Sequence, residues 1–482
     1  MLAVAHVLGL LLATFGATYV LPVGCSLIME DGLWPQFLIA AAVNSGVGLA
    51  IAAATLKFRR ELKARDGFLL VTLGWLLVSA SATIPLLLTL PGLTFTGAFF
   101  ETMSGLTTTG STVLSGLDTL PPSLNFWRHS LHWFGGLGII VMAVAVLPLL
   151  GIGGMQLYKA EAPGPIKNEK LAPRITETAK SLWLVYATIT AAGIVSLRMC
   201  GMSWFDAVCH AFSAVGLGGF STHDASIAYF NSPAIEVVLI ALMLIASLNF
   251  ARHFVALRSL SLQTYTRDPE CRSIFAILSV SVVGIAALLE WHGVYPSLIT
   301  SLRHSAFNVI SIATTSGLIT QDYEKWPVFA PYWMLFLSCI VCSTGSTGGG
   351  IKMFRTLLLA RQAGRELKLL VHPNAMAPVR IGGKPVSDRV GDAVLGFIFL
   401  YFMTAALLTF ALLLTGLDFD SSLSVIVASI NNTAHGLGQA GPVRNYHSLT
   451  GLQTWICTAA MLLGRLEIFS VIVMFTPAFW RK

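Results

Sequence analysis

The chain has 482 residues, of which 55% are hydrophobic and only 11% charged, with a formal net charge of +7 and a mean hydropathy of +0.75. Apolar content on this scale belongs to an integral membrane protein and excludes a soluble enzyme or a large soluble domain. The positive charge reads as contact with anionic lipid through cytoplasmic loops rather than as a nucleic-acid surface.

A bilayer core of about 30 Å takes about 20 apolar residues per helix. On that scale ten spans are predicted, at 2–24, 35–56, 68–91, 126–150, 182–199, 233–257, 271–291, 330–344, 390–416 and 451–478. The first is not read as a cleaved signal peptide, because it has no basic n-region and no A-x-A-like site. Of the 30 Lys and Arg, 24 fall in alternate connections, at 57–67, 159–180, 252–272, 352–389 and the C-terminus. Lys and Arg in short loops stay on the cytoplasmic side, so both termini are expected there. Glu30, Asp31, Asp118, Asp224, Asp322 and Glu324 lie in the connections that then face outward.

Four of the outward-facing segments share one plan: a short amphipathic stretch, a small polar loop with a glycine, then another span. They are FFETMSGLTTTGSTV (99–113), VCHAFSAVGLGGFST (208–222), SAFNVISIATTSGLIT (305–320) and VIVASINNTAHGLGQ (425–439), aligned on Gly110, Gly219, Gly317 and Gly436. A second small or polar cluster follows each loop, at Gly135, Asn249, Gly345 and Gly464. Non-helical backbone at membrane depth needs a watery cavity or burial in protein to satisfy its polar groups, and four such loops imply one shared cavity. Carbonyls there can replace an ion's hydration shell, and short helices aiming their negative C-terminal ends at it favour a cation. The predicted ion-lining residues are Thr108, Thr109 and Gly110; Gly218 and Gly219; Thr315, Ser316 and Gly317; and Ala434, His435 and Gly436.

The loops TTTGST, GGFSTHDAS, ATTSGL and NNTAHGLG, with HWFGGLGIIV (132–141) and STGSTGGGIK (343–352), resemble the Trk/Ktr/HKT superfamily of cation transporters over essentially the whole chain. Within it they are most similar to the bacterial TrkH-type potassium uptake subunits. The resemblance implies an all-α membrane protein with four M1–P-loop–M2 repeats around a pseudo-fourfold pore plus two N-terminal transmembrane helices. On it, 1–60 holds those two helices and the repeats occupy 68–158, 180–258, 270–365 and 388–482. It also implies a homodimer in the inner membrane, K+ as the transported ion, and a TrkA-type cytosolic nucleotide-binding regulatory subunit. Glycine at all four filter positions goes with potassium in this family, and serine in the first with sodium. His435 and Arg444 near the fourth loop depart from the usual pattern.

The run GSTGGG, Gly345, Ser346, Thr347, Gly348, Gly349 and Gly350, interrupts the predicted span of the third unit. It fails as a phosphate-binding loop, because Ile351 separates Gly350 from Lys352 and no strand precedes it. Close packing through small residues explains a G-x-x-x-G but not so long a run; a flexible intramembrane loop, a gate in this family, accounts for it better. Arg465 lies mid-span, too deep to snorkel to either surface. Glu467, two positions on, points elsewhere on a helix, so Arg465 is expected to face the pore and repel permeating ions. Glu101 is expected to do no more than cap the first short helix.

Basic segments 159–180 and 352–389 are ordinary positive-inside loops and also the sizeable cytoplasmic surfaces on which a partner could dock. Cys339 and Cys342 form a C-x-x-C inside an apolar helix and read as packing residues rather than metal ligands. The rival class is an ion-coupled (H+ or Na+) secondary cation symporter. Its usual marks are inverted repeats and intramembrane carboxylates, whereas these repeats are parallel and mid-span acids are few. No nucleophile, base or metal cluster marks an enzyme.

Overall fold

Long unbroken runs of Leu, Val, Ile and Ala fold as helices because in lipid every backbone polar group must be satisfied within its own segment. The computed structural model describes residues 1–58, 60, 62–145 and 171–481. Among these, six helices are long and apolar enough to cross a membrane, and eight if two sharply bent pairs are each taken as one span.

Leu2–Ala17 and Trp34–Ala54 form the N-terminal pair, packed through small residues. A Cβ added to Gly9 would sit 2.7 Å from the Gly48 carbonyl oxygen, and one on Gly48 2.6 Å from that of Gly9. Backbones approach this closely in lipid only where side chains are missing, and dispersion then replaces the absent hydrophobic drive.

Each of the four following units has a first long helix: Ala64–Ala82 with Ile84–Thr89, Leu171–Met199, Pro269–Trp291 and Asp388–Leu414. Each then has a short helix: Phe95–Leu106, Trp204–Gly216, Leu298–Ala313 and Phe419–Asn431. A buried irregular loop and a second span complete the unit. One core cluster joins the second and third units, another ties the N-terminal helices to the first, and a third fills the fourth.

The second spans depart from the straight helices expected at 233–257, 330–344 and 451–478. Pro233–Ser247 and Phe250–Ser259 meet at 101°, and Gly451–Arg465 turns 105° into the segment from Phe469. At the first break Leu248 closes one helix and Asn249 caps the next, accepting from the Ala251 N–H at 2.8 Å. At the second, Glu467 and Ile468 adopt φ of 55° and 49°. In the third unit the helix stops at Ile340, residues 341–352 run as a loop, and Met353–Val371 continues away. Hydropathy averages over such bends because each bent pair, taken together, still reads as one apolar stretch long enough to span. In the first unit Pro122–Ala145 is one helix. Residues 146–158 of that unit and 159–170 of the predicted basic surface lie outside the described residues.

Candidate ion pathway

All four short helices start on a side-chain cap. Thr94, Ser203, Ser297 and Asp418 each accept from the backbone N–H three residues on, which satisfies one of the orphan donors of a first turn. The four ends match as well. Thr108, Leu217, Thr315 and Asn432 take left-handed φ of 54°, 54°, 62° and 54°. The next residue then donates back into the helix: Thr109 N to Ser104 O, Gly218 N to Ser213 O, Ser316 N to Ser311 O and Thr433 N to Ala428 O, at 2.8 to 2.9 Å. This is the Schellman closure, made four times with residues that carry a Cβ.

The closure fixes the register of the loops. The residue two past each left-handed position is Gly110, Gly219, Gly317 and Ala434, so the equivalence drawn to Gly436 is two positions too far. Gly110, Gly219 and Gly317 have φ of 84°, 87° and 81°, whereas neither Ala434 nor Gly436 is in that region. Gly436 instead lies against the fourth short helix, where an added Cβ would meet the Val425 side chain at 2.9 Å.

The loops meet in a ring. A Cβ on Gly110 would overlap the Gly218 carbonyl oxygen, one on Gly219 the Ser316 carbonyl oxygen, and one on Gly317 the Ala434 methyl. The circuit closes where Asn432 Nδ2 donates to Thr109 Oγ1 at 3.0 Å and Ser111 Oγ to the Ala434 carbonyl at 2.8 Å. The ring's residues are buried, with His435 half-buried beside them. Ser316 Oγ and Thr433 Oγ1 are buried with no hydrogen-bond partner among the described residues. Unpaired hydroxyls and four helix C-termini pointing at one spot offer oxygen ligands and negative potential, the chemistry of a hard cation site.

Beneath the ring lies the 341–352 loop. It is tied down at both ends and in its middle. Ser343 Oγ and Thr344 N donate to Glu270 at 2.8 and 3.0 Å, and Ile351 N and Met353 N to Cys339 O and Cys342 O, both at 2.7 Å. Thr347 Oγ1 donates to Val215 O at 3.1 Å, and Gly349 N to Thr315 Oγ1 at 3.1 Å. A Cβ on Gly349 would overlap the Asn431 carbonyl oxygen. Ser346, Thr347, Gly348 and Gly349 are buried, Gly350 is half-buried and Gly345 is exposed.

Arg465 is buried and does not pair with Glu467. Its Nη atoms donate to Thr347 O at 2.8 Å and Gly135 O at 3.0 Å, while Nε has no partner among the described residues. Glu467 pairs with Arg355 at 2.6 Å. The charge is thus held by carbonyls of the loop and of the first unit's second helix.

Above the ring opens a cavity of about 570 Å³ whose lining includes Gly110, Gly219, Asp224, His435 and Arg444. The two unusual residues of the fourth loop both face it. Behind the first loop, Arg128 and Glu101 form an ion pair at 2.7 Å with each side chain 1% exposed. Glu101 also accepts from Thr112 Oγ1 and Val113 N, so it braces the chain just after Gly110 rather than capping a helix. Arg128 was hidden at the polar start of an amphipathic span. A buried acid at 101 that demands a counter-charge is the signal that could have found it.

The TrkH family of cation transport proteins matches residues 35–482. The chain is 45% identical over 482 residues to the Trk system potassium uptake protein TrkH of Halomonas elongata, covering 99% of each. It is 44% identical over 481 residues to the protein of the same name from Escherichia coli K12, covering 100% of this chain and 99% of that one. The crystal structure of the potassium transporter TrkH from Vibrio parahaemolyticus superposes with a TM-score of 0.92 at 40% identity, covering 100% of this chain and 99% of that one.

Proposed function

The chain belongs to the TrkH family of cation transport proteins, membrane ion transporters rather than enzymes, and from that premise we propose that it takes up potassium ions across the inner membrane through the ring of four loops. The observation that carries the reading is the fourfold repetition of capped short helix, Schellman end and inward loop, in a closed circuit of contacts. Positive φ at Gly110, Gly219 and Gly317 lets backbone carbonyls turn toward a shared centre without strain, and helix C-termini lower the potential there. Thr108, Thr109, Gly218, Thr315, Ser316 and His435 line or support the same ring.

Beneath it, residues 345–350 and Arg465 act as the gate. The loop blocks the path, and the cation raises the barrier to another cation. The chain works as a homodimer with both termini cytoplasmic. Its regulator is a TrkA-type cytosolic nucleotide-binding subunit, in keeping with the Trk system named for its relatives. The subunit docks on 352–389, which includes Met353–Val371 and the small hairpin Arg380–Pro385, and pulls on the loop through the Met353 N to Cys342 O link.

The test is cation flux in liposomes holding the purified chain, with potassium, rubidium and sodium compared with and without a proton gradient. Potassium and rubidium flux that follows its own electrochemical gradient supports the reading. Flux that saturates and demands a proton or sodium gradient replaces it with coupled symport, and no flux of any of the three ions sinks both.

A further inference from the structure

At the ring position shared by Gly110, Gly219 and Gly317, the fourth loop carries Ala434, and this residue breaks the ring's symmetry in two ways. First, its methyl group occupies the spot on which the missing side chains of the three glycines converge. Cβ atoms built on Gly110 and Gly219 would lie 3.1 and 3.2 Å from it, and one on Gly317 would overlap it. Secondly, its φ is not left-handed, and its carbonyl is turned aside, accepting from Ser111 Oγ at 2.8 Å and Tyr446 Oη at 3.3 Å. The Gly110 and Gly219 carbonyls accept no hydrogen bond from any described residue.

The physical reason is the side chain itself. A left-handed conformation costs an L-residue about 1–2 kcal/mol that glycine does not pay. Alanine therefore takes the ordinary φ, and its carbonyl rotates away to the hydroxyls of Ser111 and Tyr446. Ala434 is fully buried, as are Ser111 and Tyr446 to within about one per cent, so the arrangement is built into the interior.

We propose that Ala434 is a specificity-determining residue that puts a methyl group in place of an inward carbonyl at the fourth position of the ring, and so weakens the preference of this chain for potassium over sodium. The inference rests on the potassium-uptake reading above. Fewer inward dipoles lower the field that replaces the hydration shell, and a methyl at the centre hinders a large ion more than a small one.

The experiment uses the full-length chain and its Ala434→Gly variant. Thermal unfolding is followed in potassium and in sodium, since an ion that binds only the folded state raises the Tm whether or not a gate is open. The potassium, rubidium and sodium fluxes in liposomes are measured beside it. Glycine should raise the preference for potassium about tenfold in apparent affinity, equivalent to about 1.4 kcal/mol, and shift the flux ratio the same way. Ala434→Ser serves if the glycine variant does not fold: a larger group at the centre should cut potassium flux further while sodium flux falls less. A folded Ala434→Gly protein with unchanged preference, or a serine variant that carries potassium as the parent does, overturns the role of Ala434 and leaves potassium uptake standing. A parent chain that is neither stabilised by potassium nor carries it removes the uptake reading, and this inference with it.

Discussion

Arg465 donates to the carbonyl oxygen of Thr347 across 2.8 Å, so a charge buried in the last span is fastened to the centre of the loop beneath the ring. A second Nη holds Gly135 O, and one side chain thereby joins the first, third and fourth units.

Neutralising that charge should open the pathway. A unit charge about 4 Å from a passing cation costs it about 4 kcal/mol at an effective dielectric of about 20. Arg465→Gln is therefore expected to raise cation flux in liposomes about tenfold or more, each 1.4 kcal/mol removed from a barrier being worth a factor of ten. Arg465→Lys separates the two roles, because it keeps the charge but loses the rigid fork that grips two carbonyls. Low flux in the lysine variant assigns the barrier to charge, and flux as high as in the glutamine variant assigns it to the grip on Thr347. A fall in flux for Arg465→Gln at normal membrane insertion would contradict both.

The loop itself should be removable. Glycine's wide φ range makes alternative backbone paths accessible, and the contacts from Thr347 to Val215 and Gly349 to Thr315 are single neutral hydrogen bonds of about 1 kcal/mol net each. A regulator that binds the displaced arrangement better than the seated one could shift such a population. Deleting part of 345–350 is expected to give high flux that no longer responds to the cytosolic partner. A correctly inserted deletion variant that stays closed, or keeps its full dependence on the partner, takes the loop out of the gate.

The ring makes a prediction that discriminates between its own glycines and a neighbour. Serine at Gly110, Gly219 or Gly317 would need an unfavourable φ and would push a Cβ into the adjoining loop, so each variant should lose potassium discrimination or uptake. Gly436→Ser should act differently. Its Cβ meets Val425 on the fourth short helix, so the expected change is a loss of stability of about 1–3 kcal/mol from overpacking, seen as a lower Tm with the ion preference of surviving protein unaltered. Equal effects on selectivity at all four positions would restore Gly436 to the ring.

That contrast also marks how far the sequence could be read. The four loops were legible because glycine after a short amphipathic run is a strong local signal, and Gly110, Gly219 and Gly317 each sit at a positive φ two residues past a left-handed helix end. The fourth loop was misaligned because its nearest glycine is not the residue that occupies the ring. Counting from the helix starts would have found Ala434, since Thr94 to Gly110, Ser203 to Gly219 and Asp418 to Ala434 are all sixteen positions, and Asn432 is a residue type that tolerates the left-handed turn. The third unit hides the rule, because its short helix is longer, Leu298–Ala313. The breaks after Ser247 and Arg465 were invisible for another reason: hydropathy reports medium, not direction. Arg465 stood out as a buried charge, but its partners are backbone carbonyls from distant segments that no local pattern encodes.

The buried pair Glu101 and Arg128 provides the last test. The carboxylate accepts from Arg128 Nε at 2.8 Å, from Thr112 Oγ1 at 2.9 Å and from Val113 N at 3.0 Å, while Arg128 also donates to Asn125 Oδ1 at 2.9 Å and stacks 4.2 Å from the Phe220 ring centroid. The pair thus couples the stretch after Gly110 to the residue after Gly219. Removing one partner leaves the other charged and uncompensated at 1% exposure, which costs about 3–5 kcal/mol, whereas removing both costs much less. Glu101→Gln should lower the Tm of the purified protein sharply and, in the fraction that folds, relax the preference for potassium by loosening the first loop. Adding Arg128→Met should recover part of the Tm but not the ion preference, since the brace on Thr112 and Val113 is still missing. Strictly additive Tm losses in the double variant would mean that the two residues do not act as a pair, and a potassium preference unchanged by either substitution would mean that the brace does not position the ring.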